Sequence, residues 1–408
     1  MIVLYLQAFK VRNLKHVKSR YLMKKSLETG FTIGFLGAGQ LARMSALQAF
    51  RYGIQIASFS DREETEPLEF MTPNIFKGDF TDVESMIEFA KSCDVITLEN
   101  EFIDSDILFE LREKTGTPIY PSPESFELIE NKEIEKITFQ SAGIPVTPSR
   151  IVSSPKEIEY FADEFGWPVM LKSSKGGYDG YGNRTVEKAS ESESAFDELG
   201  GNDGRDILAE SFVDFTHELA VQVARTKEGH TAVYPCVETV QEDHICVAVK
   251  APALINPVLS KEAQRLAKLA VEAIDGVGIF AFEFFLTTDG QILLNETAPR
   301  PHNSGHYTIE GCITSQFENH VRAVSGLPLG ATDLNSESVV MINLLGTHKR
   351  KARVDFAEDA MKMSNGHLHV YGKTGSKPGR KMAHYTLLGD DQNAVYDEAI
   401  RATLNIQI

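Results

Sequence analysis

The chain has 408 residues, 42% of them apolar and 24% charged, a composition that can bury sizeable cores and excludes a disordered protein. Its net charge of -17, from 41 basic against 58 acidic residues, repels nucleic-acid phosphates and anionic lipid, so neither is an expected partner. No apolar run approaches the roughly 20 residues of a membrane span, and the four cysteines form no CxxC or His-adjacent cluster, which argues against a zinc site or a disulfide framework.

Reduced thiols in a cytoplasmic protein follow from that cysteine usage. Residues 1–29 carry seven basic side chains and one acidic. They are too poor in serine for a transit peptide. They read as a dispensable basic extension, with Met23 as the working initiator. Residues 30–408 are correspondingly more acidic than the whole, at -23.

The pattern then becomes regular. Apolar runs and helical spacing predict a buried strand over 31–36, a helix over 40–52 and a strand over 54–59. A helix over 82–91 and strands over 94–98 and 117–120 follow, and Pro121-Ser122-Pro123 closes this unit with turn chemistry. Alternating strands and helices imply parallel βαβ units in an open sheet. Between the first strand and helix lies Gly37-Ala38-Gly39-Gln40-Leu41-Ala42, a permissive G-x-G-x-x-G/A turn, with Asp61 near the distance of a ribose-binding acid. Its literal reading is NAD binding.

Residues 123–143 predict one helix stopped by Gly143, with Pro145 beyond it. Strands over 169–172 and 184–186 flank the loop 175–183, whose glycines at 176, 177, 180 and 182 make a flap with N–H groups suited to phosphates. Lys172 just before it supplies positive charge. A helix over 190–199 and a strand over 207–210 come next. From Phe212 onward the pattern is strand-rich, with one helix over 261–274.

Within that region, residues 282–296 form a strand, a turn and a second strand. A two-residue Asp289-Gly290 turn would set Glu283 directly opposite Glu296. Opposed like charges destabilise a hairpin, so two carboxylates among Phe282, Phe284, Leu293 and Leu294 need a cation between them. Such pairs, with positions left for substrate phosphates, are how Mg²⁺ is usually held. The segment 298–306 follows with Arg300, His302, Asn303 and His306, a cationic loop suited to a small planar oxyanion. Residues 373–381, with Lys373, Lys377, Arg380 and Lys381, suit a terminal phosphate.

Taken together, GAGQLARM (37–44), GGYDGYG (176–182) and NETAPRPHNSGHYT (295–308) resemble the ATP-grasp superfamily, and within it the 5-(carboxyamino)imidazole ribonucleotide synthases of purine biosynthesis. The resemblance implies an α/β and α+β protein: an ATP-grasp fold preceded by a Rossmann-like open parallel sheet domain. Its parts would be the extension 1–29, the Rossmann-like domain 30–122, a small subdomain with the flap at 123–210, and a large subdomain with the C-terminal region at 211–408. It further implies a carbon–nitrogen ligase in which ATP and bicarbonate give carboxyphosphate, which delivers CO₂ to the exocyclic amine of aminoimidazole ribonucleotide. The partners would be these small molecules and a second copy of the chain, in a homodimer.

Carried over by position, the resemblance makes Lys132 and Lys172 phosphate-binding residues and Gly177, Tyr178, Asp179, Gly180, Tyr181, Gly182 and Asn183 the flap over ATP. Glu210, Ser211, Phe212 and Val213 resemble the adenine hinge, with Glu218 on the ribose and Gln241 on the base side. Glu283 and Glu296 resemble the Mg²⁺ ligands, with Mn²⁺ as the alternative ion. Arg300 and His302 resemble the bicarbonate-side residues, which with Lys172 and Asp179 form the catalytic set. Tyr178, Asp179, Arg300, His302, Asn303, Lys373, Lys377, Arg380 and Lys381 look like ribonucleotide contacts, and Glu99 or Glu101 would receive the reacting amine. Two positions depart from the pattern. Ala298 stands where many ATP-grasp enzymes have a metal-binding Asn, leaving Asn295 as a helper, and Gln241 stands where some relatives have His. The competing readings are another carboxylase-type ATP-grasp ligase and, from Gly37, Gly39 and Asp61, an NAD-dependent oxidoreductase.

Overall fold

The computed structural model describes Lys25, residues 27–176 and residues 182–408. The first unit is a five-stranded parallel sheet in the order β3-β2-β1-β4-β5. It comprises β1 (Thr32–Leu36), β2 (Gln55–Ser60), β3 (Ile75–Lys77), β4 (Val95–Leu98) and β5 (Ile119–Tyr120). Its helices are α1 (Gln40–Phe50), α2 (Val83–Lys91) and α3 (Ser105–Thr115). Strand β1 is buried along its whole length, as expected of a parallel strand covered on both faces. Neither β3 nor α3 stands out in the sequence pattern. Strand β3 has only three residues, and α3 is mostly polar outside Leu108 and Leu111.

The helix expected over 123–143 is two helices, α4 (Pro123–Glu127) and α5 (Lys132–Ser141). Asn131 makes the break. Its side chain accepts the backbone N–H groups of Glu133 at 2.9 Å and Ile134 at 3.3 Å, starting a new helix. A four-stranded antiparallel sheet follows, in the order β6-β9-β7-β8, from β6 (Ser149–Val152), β7 (Val169–Ser173), β8 (Asn183–Val186) and β9 (Ile207–Ser211). Helices α6 (Pro155–Phe165) and α7 (Ser192–Glu198) pack on it through Ile158, Phe161, Ala195 and Phe196.

The largest sheet has nine strands. Its path runs β15-β14-β10-β12-β13-β16-β20-β18, with β11 on the side of β10. The strands are β10 (Phe215–Arg225), β11 (Thr231–Val233), β12 (Val237–Glu242), β13 (Ile245–Ala251), β14 (Gly278–Thr287), β15 (Ile292–Ala298), β16 (Ser338–Leu345), β18 (Gly366–Val370) and β20 (Lys381–Gly389), while β17 (Arg350–Lys351) pairs with β19 (Gly375–Ser376). Helix α8 (Pro257–Ala273) starts earlier than the expected 261, because Asn256 caps it and Pro257 occupies its first turn. The strand-rich reading omitted four further helices: α9 (Thr308–Gly311), α10 (Gln316–Val324), α11 (Glu358–Lys362) and α12 (Gln392–Thr403).

Helix α10 docks the first sheet onto the largest one. Its Val321 and Val324 pack with Ala42, Ala46 and Ala49 of α1. At the rim, Glu318 accepts from Arg51 at 2.7 Å and from the Tyr52 hydroxyl at 2.6 Å. Deeper in, His320 Nδ1 accepts the Ile279 N–H of β14 at 3.2 Å, so its proton sits on Nε2, 3.0 Å from the Thr97 hydroxyl of β4. Thr97 in turn donates to the Tyr120 carbonyl at 2.7 Å. Burial pushes His320 down to about 3, so this bridge is neutral at any physiological pH. The C-terminal end of β4 is thereby held beside the exit of β15.

Candidate active site

The two glutamates of the hairpin do face each other: Glu283 of β14 pairs with Glu296 of β15. The turn responsible differs from the expected one. The Thr287 N–H donates to the Gln291 carbonyl at 2.9 Å and the Gly290 N–H to the Thr287 carbonyl at 3.0 Å, so three residues, 288–290, form the loop. Gly290 takes the left-handed conformation this loop needs, at φ 85°. With that turn Phe284 pairs with Leu294, and unbroken pairing would slide Glu296 past Glu283. A β-bulge at Asn295 restores the match. The carboxylates meet because two deviations cancel.

The bulge also aims Asn295 at Lys172, whose Nζ donates to Asn295 Oδ1 at 3.1 Å. That oxygen is therefore engaged by an ammonium, and buried Ala298 offers no donor. Among the described residues no group of three or more His, Cys, Asp or Glu side chains could hold a metal. The chain supplies two opposed carboxylates, a donor set that fits a Mg²⁺ completed by phosphate oxygens rather than a closed protein cage.

Behind the carboxylates lies a chain of alternating charges. Lys132 at the start of α5 pairs with Glu296 at 2.9 Å and holds it well below the usual carboxylate range. One turn on, Lys136 pairs with Glu210 of β9 at 3.0 Å, and Lys172 of β7 pairs with the same glutamate at 2.7 Å. Burial alone would raise Glu210, but the two ammonium groups outweigh it and pull the carboxyl to about 2. Glu135, between Lys132 and Lys136, lacks so close a pair, and burial lifts it to about 7. The Glu210 side chain thus serves the lysines, leaving only its backbone for a ligand at the hinge. Ser211 continues β9, Val213 is half-buried and Phe212 is exposed. Burial raises Glu218 on β10, with Gln241 close enough to offset part of that rise.

The other wall comes from the first sheet. Glu99 follows β4 and is half-buried, and desolvation raises its carboxyl against the pull of Arg300 and Lys373. The Glu99 carboxylate packs directly on the glycine turn: a Cβ at Gly37 or Gly39 would come within 2.3 or 2.4 Å of its oxygens, and Gly37 also has the positive φ of 113° that favours glycine. Two residues past Glu99, Glu101 is ion-paired with Arg300. Lys373 donates to the Lys381 carbonyl at 2.7 Å, and burial and Arg380 bring its ammonium down to about 7. Burial and then Arg62 also lower Arg380, whose Nη1 donates to the Gly375 carbonyl at 2.6 Å. Arg62 escaped the sequence reading, which chose its neighbour Asp61. Its place just past β2, where such sheets meet nucleotides, was the available signal. Lys377 is exposed, and the contacts joining Glu99, Lys373 and Arg380 do not include it.

His302 Nδ1 lies 3.5 Å from Glu283 and 2.8 Å from the Ser304 hydroxyl. Asn303 points away into a reciprocal amide pair with Asn343 of β16, at 2.6 and 2.8 Å. Of the flap, Gly182 and Asn183 are described, with Asn183 paired to Lys172 across β7 and β8. Gly177, Tyr178, Asp179, Gly180 and Tyr181 lie outside the described residues.

Comparison with known proteins places names beside this geometry. Three family models match: the ribonucleotide synthetase preATP-grasp domain at 31–130, the ATP-grasp domain at 137–317 and the phosphoribosylaminoimidazole carboxylase C-terminal domain at 339–398. The chain is 36% identical to the N5-carboxyaminoimidazole ribonucleotide synthase of Bacillus subtilis, over 94% of this chain and 98% of that one. It is 41% identical to the phosphoribosylaminoimidazole carboxylase of Ogataea methanolica, covering 88% of this chain but spanning only 66% of that longer protein. Its structure matches the crystal structure of the Thermotoga maritima N5-carboxyaminoimidazole ribonucleotide synthetase with a TM-score of 0.83, at 38% identity, over 92% of this chain and 99% of that one. An Aspergillus clavatus synthase solved with ADP and 5-aminoimidazole ribonucleotide matches at 35% identity with a TM-score of 0.82, over 92% of this chain and 98% of that one.

Proposed function

Because the chain belongs to the N5-carboxyaminoimidazole ribonucleotide synthase family of ATP-grasp ligases, we propose that it carboxylates the exocyclic amine of 5-aminoimidazole ribonucleotide in purine biosynthesis. A bicarbonate oxygen attacks the γ-phosphorus of ATP, ADP leaves, and the carboxyphosphate formed breaks down to CO₂ and phosphate. The amine nitrogen then attacks CO₂ and loses a proton. One observation carries the reading: five residues of β15 and its exit, 296–300, span both ends of the site. Glu296 is tied to the nucleotide-side Lys132, and Arg300 is tied to Glu101 two residues past Glu99.

No side chain needs to act as a nucleophile. Lys132 and Lys172, held by Glu296, Glu210 and Asn295, are placed to neutralise polyphosphate charge. We assign Mg²⁺, or Mn²⁺, to Glu283 and Glu296, where it would neutralise further phosphate charge. Arg300 presents a planar guanidinium to bicarbonate and carboxyphosphate, and His302 stands at the Glu283 end of the same pocket. Lys373, Arg380 and Lys381 hold the ribonucleotide phosphate, with Arg62 added to that cluster. Cytoplasmic residence and a homodimer belong to the same proposal. The first is supported by four cysteines, none of them in a disulfide, and by the lack of any described helix long and apolar enough to cross a membrane.

The test is ADP release by the purified chain with Mg²⁺, bicarbonate and ATP, with and without the ribonucleotide. The expected result is turnover that requires all four and stops on chelation of the metal. Ribonucleotide-independent ADP release at the full rate would overturn the substrate assignment. Gly39→Ala should push the Glu99 carboxylate aside, raising KM for the ribonucleotide at least about tenfold, or roughly 1.4 kcal/mol, while KM for ATP stays within about twofold. A change confined to ATP would contradict the placement of Glu99 on the ribonucleotide side.

A further inference from the structure

Gln316 is the first residue of α10, has no exposure to solvent, and touches no group in the roles assigned above except through His302. Its side-chain amide is matched to one residue as a template is to a strand. Oε1 accepts the His302 backbone N–H at 3.0 Å, and Nε2 donates to the His302 carbonyl at 2.7 Å. Because each end of the amide meets a peptide group of fixed polarity, oxygen and nitrogen cannot be exchanged. Nε2 also lies 3.1 Å from His306 Nδ1, which must then accept, leaving the His306 proton on Nε2. Burial pushes the His306 imidazole well down, in keeping with a neutral ring.

The surrounding residues keep that amide in place. Gly305 is the only residue type that fits, since a Cβ there would collide with the Gln316 amide and press on the Gln222 stem. The Thr308 hydroxyl donates to the Gly305 carbonyl at 2.6 Å and accepts the Gln316 N–H at 2.9 Å. On the opposite side, Gln222 of β10 donates to the Ser304 hydroxyl at 2.9 Å, and that hydroxyl lies 2.8 Å from His302 Nδ1. The His302 peptide and ring are therefore set from two elements, neither of which carries a metal-binding residue.

We propose that Gln316 is a positioning residue for His302, fixing the His302 peptide so that its ring stands beside Glu283. The same helix carries Glu318, so docking of the first sheet and orientation of the catalytic loop are built on one element. This rests on the role given to His302 above, and the experiment separates the two.

Gln316→Met removes all three side-chain hydrogen bonds at nearly constant length, and Gly305→Ala drives the amide away from the other side. Each is expected to lower kcat about 10–100-fold, as loss of such supporting contacts does, with KM for ATP within about twofold. The double variant Gln316→Met/His302→Ala should be no more than about twofold slower than His302→Ala alone. Fully additive losses would overturn the proposal, because Gln316 would then act independently of His302. If either variant fails to fold, ring-¹⁵N spectra of the wild-type histidines decide. His306 in the neutral Nε2–H form supports the amide orientation; an Nδ1–H form reverses it and overturns the proposal. A wild-type chain with no ribonucleotide-dependent turnover would refute the reaction instead, while the histidine spectra would still judge Gln316.

Discussion

Glutamine in place of Glu296 is expected to reduce ADP formation at least about 10²–10³-fold, the range seen when one preorganised electrostatic contact to a transition state is lost. The amide keeps the size of the side chain and removes its charge. On the proposed assignment Glu283 alone would then face the polyphosphate and its cation, and a single carboxylate is a poor counterpart for a divalent ion that must be stripped of part of its water. The fold should survive. Glu296 is at the mouth of the site, 42% of its side chain exposed, and Lys132 retains Glu135 as a second counter-charge. Removing one of two opposed carboxylates relieves their repulsion but also takes the paired anion from Lys132, so in metal-free buffer the variant should stay folded with a modestly lower melting temperature than the wild type. Steady-state ADP release and thermal melts on the same preparation check both parts. Retention of substantial ATP cleavage would sink the metal assignment. A large drop in melting temperature with activity lost would show that Glu296 serves the fold instead.

The way these carboxylates meet shows what the sequence can and cannot disclose. Their opposition was legible because two acids among phenylalanines and leucines are a poor structural choice. The reason offered for it, a two-residue turn, was wrong by one residue, and the bulge at Asn295 made up the difference. The extra residue's side chain meets Lys172 of another sheet. Nothing local announces it. Most of the parallel sheet of the first unit was legible for the opposite reason: β1, β2 and β4 are buried along nearly their whole length. Helix α10 was overlooked although its signals were present. Ser315 and Glu318 have capping-box spacing, and Phe317, Val321 and Val324 recur at helical intervals. Its buried Gln316, Glu318, Asn319 and His320 concealed it, because their polar groups are satisfied by distant segments rather than by solvent. The glycines at 37 and 39 fit a dinucleotide fingerprint in the sequence, and only the fold could show that the group packed against them is Glu99.

The lysine–glutamate chain, invisible to the sequence reading, carries the second large effect. Glu210→Gln is expected to cost about 3–5 kcal/mol, the usual penalty for removing one partner of a buried ion pair. Both Lys136 and Lys172 lose their anion, and neither is near solvent. The sign of the pH dependence follows from the Glu210 carboxyl, which the lysines hold at about 2 in the folded chain against roughly 4.3 when unfolded. The native state therefore binds fewer protons than the unfolded state between those values. The stability Glu210 contributes is complete above about pH 4.5 and drains away as pH falls towards 2. Denaturant midpoints should thus differ widely between wild type and variant at pH 7 and draw together on acidification to pH 3. A constant gap across that range would mean the lost stability comes from packing and not from charge. Catalysis should fail alongside stability even where the variant is folded. Lys172 would keep only Asn295, so KM for ATP should rise more than KM for the ribonucleotide, the reverse of the pattern expected for Gly39→Ala. That contrast tests the division of the pocket itself. If both variants weakened the same substrate, Glu99 and Glu210 would not lie on opposite sides of the reacting bond.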